Sequence, residues 1–405
     1  MTCIKERIRI LVLLDDMPSK ERPQLWSHAL NQIYELSEKC DIKIVSPVRL
    51  SISLRRHEEN KERAKSLPPY EYKIRAIPCW RPIYIDFSFL PCKYRKYYFQ
   101  IVSMIASLLL VIFRKRIKFD IIHAHFVYRP GYVAAVLGRI FGKPVVITAH
   151  GTDIHHNLYK ENIVYKKRTI DALRRSKKII AVSEFLKRKI ANEGFGKKTC
   201  VIPCGFSESE FYPMDKKKCR TKLSLETSKK NLLFIGNLIT VKGVDILIEA
   251  FKIVLDKDTN VVLIIIGEGT EKITLEQQAR DCKIDKMVHF LGSKNNNEIP
   301  LYINSSDVIV LPSRDEGRGL VIFEALACGK PVVASRVGGI PETVVNDKLG
   351  ILVEKENPID LADGILKALA SSWDSLYQCN YINQYCNTKL VAKVLKVYDK
   401  VLNRA

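Results

Sequence analysis

The sequence predicts an α/β protein built from doubly wound parallel sheets, and two observations support that prediction. Apolar runs suited to buried parallel strands, such as residues 8–14 and 261–266, alternate along the chain with helix-prone segments. The chain has 405 residues, which is long enough for two domains that each bury a full core. We therefore expect domains at 1–208 and 231–385, a Lys-rich linker at 209–230 and a closing helix at 386–405.

Strands and helices are expected in regular order within each half. In the first half the strands are predicted at 8–14, 42–46, 120–125, 144–150, 178–182 and 201–203, and the helices at 25–36, 131–141 and 183–190. In the second half the strands are predicted at 232–235, 261–266, 286–292, 307–311 and 332–334, and the helices at 244–256, 320–327, 352–370 and 390–403. Residues 49–71 are rich in charge and proline and predict an exposed loop.

The stretch from 313 to 342 holds the strongest indication of a binding site. It reads as a polar loop, an apolar helix and a strand, with Glu316 in the loop and Glu324 in the helix. The first helical amides and the helix dipole favour a phosphate there, and the expected donors are Gly317, Arg318, Gly319, Leu320 and Val321. A carboxylate can accept both hydroxyls of a vicinal diol, so two flanking carboxylates suggest a sugar on each side of a diphosphate. The alternative is a buried β-α-β unit with two incidental surface acids.

The sequence motif in this stretch resembles that of a known family. E-G-x-G-x-x-x-x-E-A-x-A-C-G-x-P-V-V-A, followed by G-G-I-P-E, closely resembles the donor site of retaining glycosyltransferases of family 4. The resemblance implies the GT-B fold, in which two Rossmann-like domains face each other across a cleft and a last helix returns to the first domain. It implies that Glu316 holds donor-sugar hydroxyls, that Glu324 holds the ribose diol, and that attack on the front face retains the anomeric configuration.

A second loop in the same half also resembles the family. The segment G-N-L-I-T-V-K-G begins at Gly236 and resembles the loop in which an arginine and a lysine, five apart, clamp the diphosphate. Lys242 fills the lysine place, whereas Asn237 stands at the arginine place. We therefore expect Lys242 and the helix amides to stabilise the leaving nucleoside diphosphate, with a nucleotide-diphosphate sugar as co-substrate and without a metal or another cofactor.

Two predicted strands of the first half end in histidine. His150 opens an H-G-x-D stretch that resembles the family's, which places that histidine near the donor sugar and makes it a catalytic candidate with Lys242 and Glu316. Ligands gather at the carboxyl ends of parallel strands, so His125 and Asp153 are candidates for the acceptor side. His123 and His125 would share one face of a strand, and a metal pair is the alternative reading.

Other classes of protein fit the sequence less well. Lys272 interrupts the dinucleotide fingerprint that begins at Gly267, which argues against a nicotinamide cofactor. The metal-binding Asp-x-Asp pattern at 256–258 falls in a turn and reads as solvated surface. A nucleotide-sugar epimerase or phosphorylase, and a basic module that binds a membrane or nucleic acid, remain open. Basic residues interleaved with stacking aromatics on one face are not seen, so we do not expect a nucleic-acid partner.

The charge distribution separates the two halves. The net charge is +22, and residues 1–200 contain 39 Lys and Arg against 18 Asp and Glu. This asymmetry suggests a lipid-linked or glycan acceptor on an anionic membrane surface. The eleven cysteines have no C-x-x-C pair, and the N-terminus reads as a strand rather than an export signal, so a cytoplasmic location is expected.

One segment of the first half bears directly on a membrane partner. The apolar run 101–113 lies between basic residues at 93–96 and 114–118, and it is shorter than the roughly 17–25 residues that span a bilayer. A core helix with basic ends is one interpretation. A helix whose basic and tyrosine-rich rim rests on a peripheral membrane surface is the other.

Overall fold

A computed structural model describes residues 7–15, 27–51, 69–86, 95–151, 153–154 and 163–403. Most of the predicted loop at 49–71 lies outside these residues, as does Lys93. The chain divides into two compact units. The first unit includes residues 29–202 and the C-terminal segment from Val391, and the second includes residues 203–390.

The first unit is built on a largely parallel sheet. Its strands are β1 Arg9–Leu13, β2 Asp41–Val45, β3 Val48–Ser51, β4 Glu71–Ile74, β5 Ile77–Trp80, β6 Ile83–Asp86, β7 Ile121–His125, β8 Val145–Ala149, β9 Lys178–Ala181 and β10 Thr199–Val201. Its helices are α1 Ser27–Ser37, α2 Arg95–Arg114, α3 Tyr132–Phe141, α4 Ile163–Arg175 and α5 Glu184–Asn192. The described strands form a sheet in the order β10-β9-β8-β7-β1-β2-β5-β4, in which only β4 runs antiparallel, while β3 pairs separately with β6.

The second unit holds an all-parallel sheet. Its strands are β11 Lys230–Ile235, β12 Val261–Ile266, β13 Val288–Phe290, β14 Val308–Leu311, β15 Val332–Ser335 and β16 Gly350–Val353. Its helices are α6 Lys216–Lys222, α7 Val244–Lys257, α8 Lys272–Asp281, α9 Ile299–Ser305, α10 Leu320–Ala327, α11 Pro358–Ala370 and α12 Ser375–Ile382. The sheet order is β13-β12-β11-β14-β15-β16. Every residue of β12 and β14 is buried, as expected for strands covered by helices on both faces.

Two segments differ from the expectation. Residues 209–230, expected as a linker, contain α6, and Arg220 on this helix is buried and bonded to Asp307 at 2.7 Å. The helix expected at 352–370 begins later, because Leu352 lies in β16 and Asn357 caps α11 by accepting hydrogen bonds from two first-turn amides. Apolar strand residues and apolar helix residues are indistinguishable over so short a run.

The last helix, α13 Asn387–Val401, returns to the first unit. Tyr398 is fully buried there, and its hydroxyl lies 2.6 Å from Nδ1 of His123 on β7. Val394 on the same helix is also fully buried. The packing of the C-terminal helix on the first domain, which the resemblance implies, is therefore confirmed.

Candidate active site

The second unit brings two loops together at one edge of its sheet. β11 and β14 are neighbouring parallel strands, with Leu232 paired to Val308, so the segments that follow them emerge side by side. Ligands of open parallel sheets bind at this carboxyl edge. The loop after β11 runs to Gly243, and the loop after β14 runs to Gly319.

Lys242 and Glu316 meet between these loops. The Lys242 ammonium lies 2.5 Å from Oε2 of Glu316, and both side chains keep about a fifth of their surface or less exposed. The Ser313 hydroxyl lies 3.5 Å from the same carboxylate oxygen. The two residues that the sequence assigns to the diphosphate and to the donor sugar are therefore each other's partners in this structure.

Glycines allow the loops to approach so closely. Gly243 has a φ of 65°, and a Cβ there would lie 2.1 Å from the carbonyl oxygen of Pro312. Gly338 has a φ of 54°, and a Cβ there would lie 1.8 Å from the carbonyl oxygen of Glu316. Both positions combine a left-handed backbone with backbone contact, so only glycine fits.

The start of α10 offers free amides beside this pair. Gly319, with a φ of 72°, precedes the helix and provides no side-chain cap. Within the described ranges, no residue accepts a hydrogen bond from the amides of residues 317–321. These donors and the positive end of the helix dipole make this end of α10 suited to an anion.

Glu324 lies one turn further along α10 and is only partly exposed. Burial, together with the nearby charge of Glu210, raises the pKa of its carboxyl group to about 8. The carboxyl group is therefore held largely neutral at pH 7. Glu210, which the sequence analysis missed, comes from the segment before α6.

Arg318 has its side chain directed away from the amides of its own loop. The Arg318 side chain is 8% exposed. Its guanidinium group donates to Oε2 of Glu342 at 2.6 Å and to the Thr343 hydroxyl at 3.2 Å, and lies over the ring of Tyr385. Its charge is thus committed to the interior of the second unit. Only the backbone amide of Arg318, and not its side chain, is therefore placed to bind an anion at this end of α10.

Gly236 and Asn237 follow β11 directly. The Gly236 amide donates to the carbonyl of Ile266 on the neighbouring strand at 3.0 Å. The Asn237 residue is exposed, and its backbone carbonyl accepts from the Ile239 amide at 3.0 Å. The amide side chain is thus accessible from solvent at the same edge of the sheet as Lys242.

Arg314 joins the two loops, and the sequence analysis did not identify it. Its guanidinium group makes a bidentate contact with Asp245 at 2.6 and 2.8 Å and donates to the Thr240 carbonyl at 2.7 Å. Burial raises the pKa of Asp245, but Arg314 outweighs this effect and holds that pKa below its usual range. The Arg314 amide also donates to the carbonyl of Val241. Arg314 therefore fixes the loop that carries Lys242 against the loop that carries Glu316.

The first unit places a row of histidines on β7 and directly after β8. His123 and His125 are fully buried and stacked with ring centroids 4.6 Å apart. Nδ1 of His125 lies 3.1 Å from Nε2 of His150, which is partly exposed. Burial lowers the pKa of His123 to about 3, and its other nitrogen lies 2.8 Å from the Thr148 hydroxyl. His123 is thus a neutral core residue, and His125, expected to be accessible to an acceptor, lies behind His150.

Asp153 is buried, and its carboxylate accepts hydrogen bonds from backbone amides of the first unit. Its carboxylate accepts from the amides of Val127 at 2.8 Å, Gly151 at 2.9 Å and His150 at 3.1 Å. Burial raises the pKa of this carboxyl group, and the three amides oppose that rise. These bonds tie the turn that carries His150 to the segment after β7, so Asp153 positions His150.

Two family models match this chain and together account for most of it. The model for glycosyl transferases group 1 matches residues 215–385, and the model for glycosyltransferase family 4 matches residues 60–210. The chain is a member of glycosyltransferase family 4.

Named relatives agree with this assignment. Two uncharacterised glycosyltransferases of Methanocaldococcus jannaschii, MJ1178 and MJ1607, are 34% and 32% identical, over 62% and 63% of this chain and 65% and 67% of those proteins. The match to MJ1178 thus spans slightly less than two thirds of that protein. The putative teichuronic acid biosynthesis glycosyltransferase TuaC of Bacillus subtilis is 29% identical over 89% of each chain.

Solved structures of glycosyltransferases share the fold. Sucrose-phosphate synthase from Thermosynechococcus elongatus has a TM-score of 0.79 at 18% identity, covering 98% of this chain and all of that one. HepE from Anabaena, solved with UDP and glucose, has a TM-score of 0.74 at 19% identity, covering 97% of this chain and all of that one. The glycosyltransferase therefore has the GT-B fold of two Rossmann-like domains, and the fold expectation is confirmed.

The Arg314 contact predicts a positioning role that can be measured. Arg314→Lys removes the bidentate bond to Asp245, so the loop that carries Lys242 loses its fixed place. We expect turnover of the glycosyltransferase to fall by about tenfold to a hundredfold, as for loss of a charge-assisted contact, with a smaller change in KM. Glu356→Gln is the control, because it removes an exposed partner of Arg314 and leaves Asp245 and Thr240 in contact. Equal losses in the two variants would contradict the role.

The raised pKa of Glu324 predicts a pH-dependent stability. The carboxyl group is neutral in the folded protein up to about pH 8 and charged in the unfolded chain above about pH 4.5, so the wild type loses stability across that window. Glu324→Gln cannot ionise. We expect its melting temperature to match that of the wild type at pH 4 and to exceed it by on the order of several degrees at pH 8. A pH-independent difference in calorimetric melting temperature would contradict the buried carboxyl group.

Proposed function

We propose that this glycosyltransferase is retaining, requires no metal, and transfers a sugar from a nucleotide-diphosphate sugar to a glycan or lipid-linked acceptor. The observation that supports this proposal best is the placement of Lys242 and Glu316 beside the open amides of α10. A cation, a carboxylate and an amide-lined helix start suit a diphosphate with a sugar attached.

Binding of the donor would exchange the partners of Lys242. The ammonium group now pairs with Glu316 at 2.5 Å, so a diphosphate that enters must take it over. Release from Lys242 leaves both Glu316 oxygens able to accept hydroxyls of the sugar. The Lys242–Glu316 ion pair would thus be replaced by a contact of Lys242 with the diphosphate and a contact of Glu316 with the sugar. This exchange links recognition of the diphosphate to recognition of the sugar.

Charge develops in two places during the reaction. As the bond to the nucleoside diphosphate breaks, negative charge grows on the leaving phosphate, and Lys242 with the α10 amides would stabilise it. Positive character grows at the anomeric carbon, and Glu316 is proposed to hold the hydroxyls of the sugar in place as it does. Glu324 would accept the ribose hydroxyls once it is ionised. In the first unit, His150 is the proposed catalytic group, since it is the partly exposed member of the histidine row.

The solved relatives are consistent with a uridine nucleotide as one donor class. HepE was solved with UDP and glucose and also with UDP-glucose. Because the identity is only 19%, those ligands belong to HepE, and UDP-sugars are the first donors to test on this chain.

The acceptor is proposed to lie at the cytoplasmic face of an anionic membrane. Residues 1–200 carry 39 Lys and Arg against 18 Asp and Glu, and the rest of the chain is nearly neutral. Such an excess on one half raises the local concentration of an anionic acceptor or of an anionic surface. TuaC, a relative of this chain, is named for the biosynthesis of teichuronic acid.

Lys242→Ala tests the proposed leaving-group stabilisation. The Asn237 side chain offers no charge in its place, so we expect kcat to fall by about 10²–10³-fold, as for loss of one preorganised donor. The assay contains EDTA, and undiminished wild-type activity is expected there. Activity that disappears with EDTA and returns with Mn²⁺ would contradict the metal-free reaction. A Lys242→Ala enzyme with normal kcat would contradict the assignment of the lysine.

Glu316→Gln tests the exchange of partners. The variant keeps the shape of the side chain but releases Lys242, so we expect nucleoside-diphosphate affinity to rise by about three- to tenfold, since partly exposed ion pairs contribute roughly 1 kcal/mol. Turnover of the intact donor should fall, because the sugar loses its carboxylate. Ser313→Ala is the control that leaves the ion pair in place. Weaker nucleoside-diphosphate binding in calorimetry would show that Glu316 does not compete for Lys242.

A further inference from the structure

Three helices of the first unit form one outer layer. α2 packs on α3 through Phe113 and Phe141, whose ring centroids are 5.7 Å apart. α4 packs on α2 through Arg168, which donates to the Tyr97 carbonyl at 2.9 Å, and on α3 through the ring of Tyr132, 5.5 Å from the guanidinium carbon. The solvent side of these helices is therefore one continuous surface.

α2 is apolar on both of its sides. Its inner side is buried through Ile101, Met104, Leu108 and Val111. Its outer side exposes a stripe of large apolar residues, which are Tyr98, Phe99, Val102, Leu110 and Phe113, each with more than 40% of its surface accessible. The helix carries no charged residue between Tyr97 and Phe113. A surface helix of a soluble domain normally has charged and polar residues on its solvent-facing side. An exposed apolar stripe of this size therefore indicates a binding surface.

The neighbouring helices extend the stripe and surround it with positive charge. Ile140 on α3 and Ile163 on α4 are each 52% exposed. The exposed basic residues around them are Arg114, Lys115, Arg116, Lys118, Arg139, Lys166, Lys167 and Arg174. α2 and α3 contain no acidic residue, and Asp171 is the acid of α4. The partner must therefore be apolar in its middle and anionic at its surface.

α2 is long and apolar enough to be considered as a membrane span, but its packing favours a different placement. An 18-residue window from Tyr97 to Arg114 has a mean hydropathy of 1.7 and is one-third buried. Its buried side belongs to the core, and the Ser103 hydroxyl accepts from the Ile85 amide of β6 at 2.9 Å. A spanning orientation would remove these contacts. A helix of 20 residues that lies flat presents about 30 Å of apolar stripe.

We propose that the α2–α3–α4 surface docks the glycosyltransferase on an anionic lipid bilayer. The stripe on α2, with Ile140 and Ile163, enters the boundary between headgroups and acyl chains, and the basic residues around it contact lipid phosphates. This surface gives the lipid-linked acceptor its access to the enzyme, and to that extent it rests on the proposed function. The docking itself depends only on the helices of the first unit.

Vesicle sedimentation of the full chain tests the proposal. Vesicles of phosphatidylcholine are compared with vesicles that contain about one third phosphatidylglycerol, at low and high salt. We expect binding only to the anionic vesicles, weakened by salt. The triple variant Arg114→Gln, Arg116→Gln, Lys118→Gln leaves the Lys115–Glu71 ion pair intact and should lose about 10²-fold in partitioning. The double variant Leu110→Ser, Phe113→Ser should lose at least about tenfold.

Matched controls come from the second unit. Lys217→Gln, Lys218→Gln, Lys222→Gln removes three exposed charges, and Ile273→Ser, Leu376→Ser removes two exposed apolar side chains. Both should bind like the wild type. Equal losses in the controls, equal binding to neutral vesicles, or no binding at all would overturn the docking surface. So would light scattering that shows a dimer dissociated by Leu110→Ser, Phe113→Ser, because a second copy would then cover the stripe.

Release of nucleotide from a donor sugar without vesicles separates the two proposals. The docking variants should retain it, since their substituted residues lie outside the donor site. A protein that binds anionic vesicles but releases no nucleotide from any sugar donor would contradict the proposed function alone. One that turns over donors but ignores anionic vesicles would contradict the docking surface alone.

Discussion

The closeness of two loops at the edge of the second sheet is the constraint on which the candidate site depends. Because β11 and β14 are adjacent, Lys242 and Glu316 can meet although 74 residues separate them in the chain. Backbone contact at Gly243 leaves no room for a side chain. Arg314 then holds the two loops together through an ion pair with Asp245 and a hydrogen bond to the Thr240 carbonyl. Charged groups thus hold these two loops in a fixed arrangement.

The fold was predictable to a large extent from the sequence. The strand at Val261–Ile266 has the predicted bounds, because six consecutive β-branched or aliphatic residues leave little alternative. Lys242, Glu316 and the start of α10 could be named as candidates from the sequence, because spaced motifs carry them, and the structure brings the first two into contact. Arg314 was missed because its partners lie 69 and 74 residues away, and no local pattern reveals such a pairing. The direction of the Arg318 side chain also depends on residues that are distant in the sequence, since its guanidinium group bonds to Glu342 and lies over the ring of Tyr385.

The first unit shows a similar limit. Side chains alternate between the two faces of a strand, which correctly predicts that His123 and His125 point to the same face of β7. This alternation does not reveal that other residues pack over that face. α13 buries His123 from a position 275 residues away, and His150 stacks over His125. Residues that look like ligands in the sequence thus become a packed row in which only the last member meets solvent. The chemical character of each histidine follows from its neighbours rather than from its place in the strand.

The return of the last helix also governs when the protein can fold during synthesis. Tyr398 and Val394 complete the core of the first unit, although nearly all other residues of that unit precede residue 203. A ribosome makes the whole second unit before it makes these residues, so the N-terminal half waits with part of its core uncovered. Domains usually become stable in the order of their synthesis. Here the second unit can finish first, and the first unit completes its core once α13 has been made.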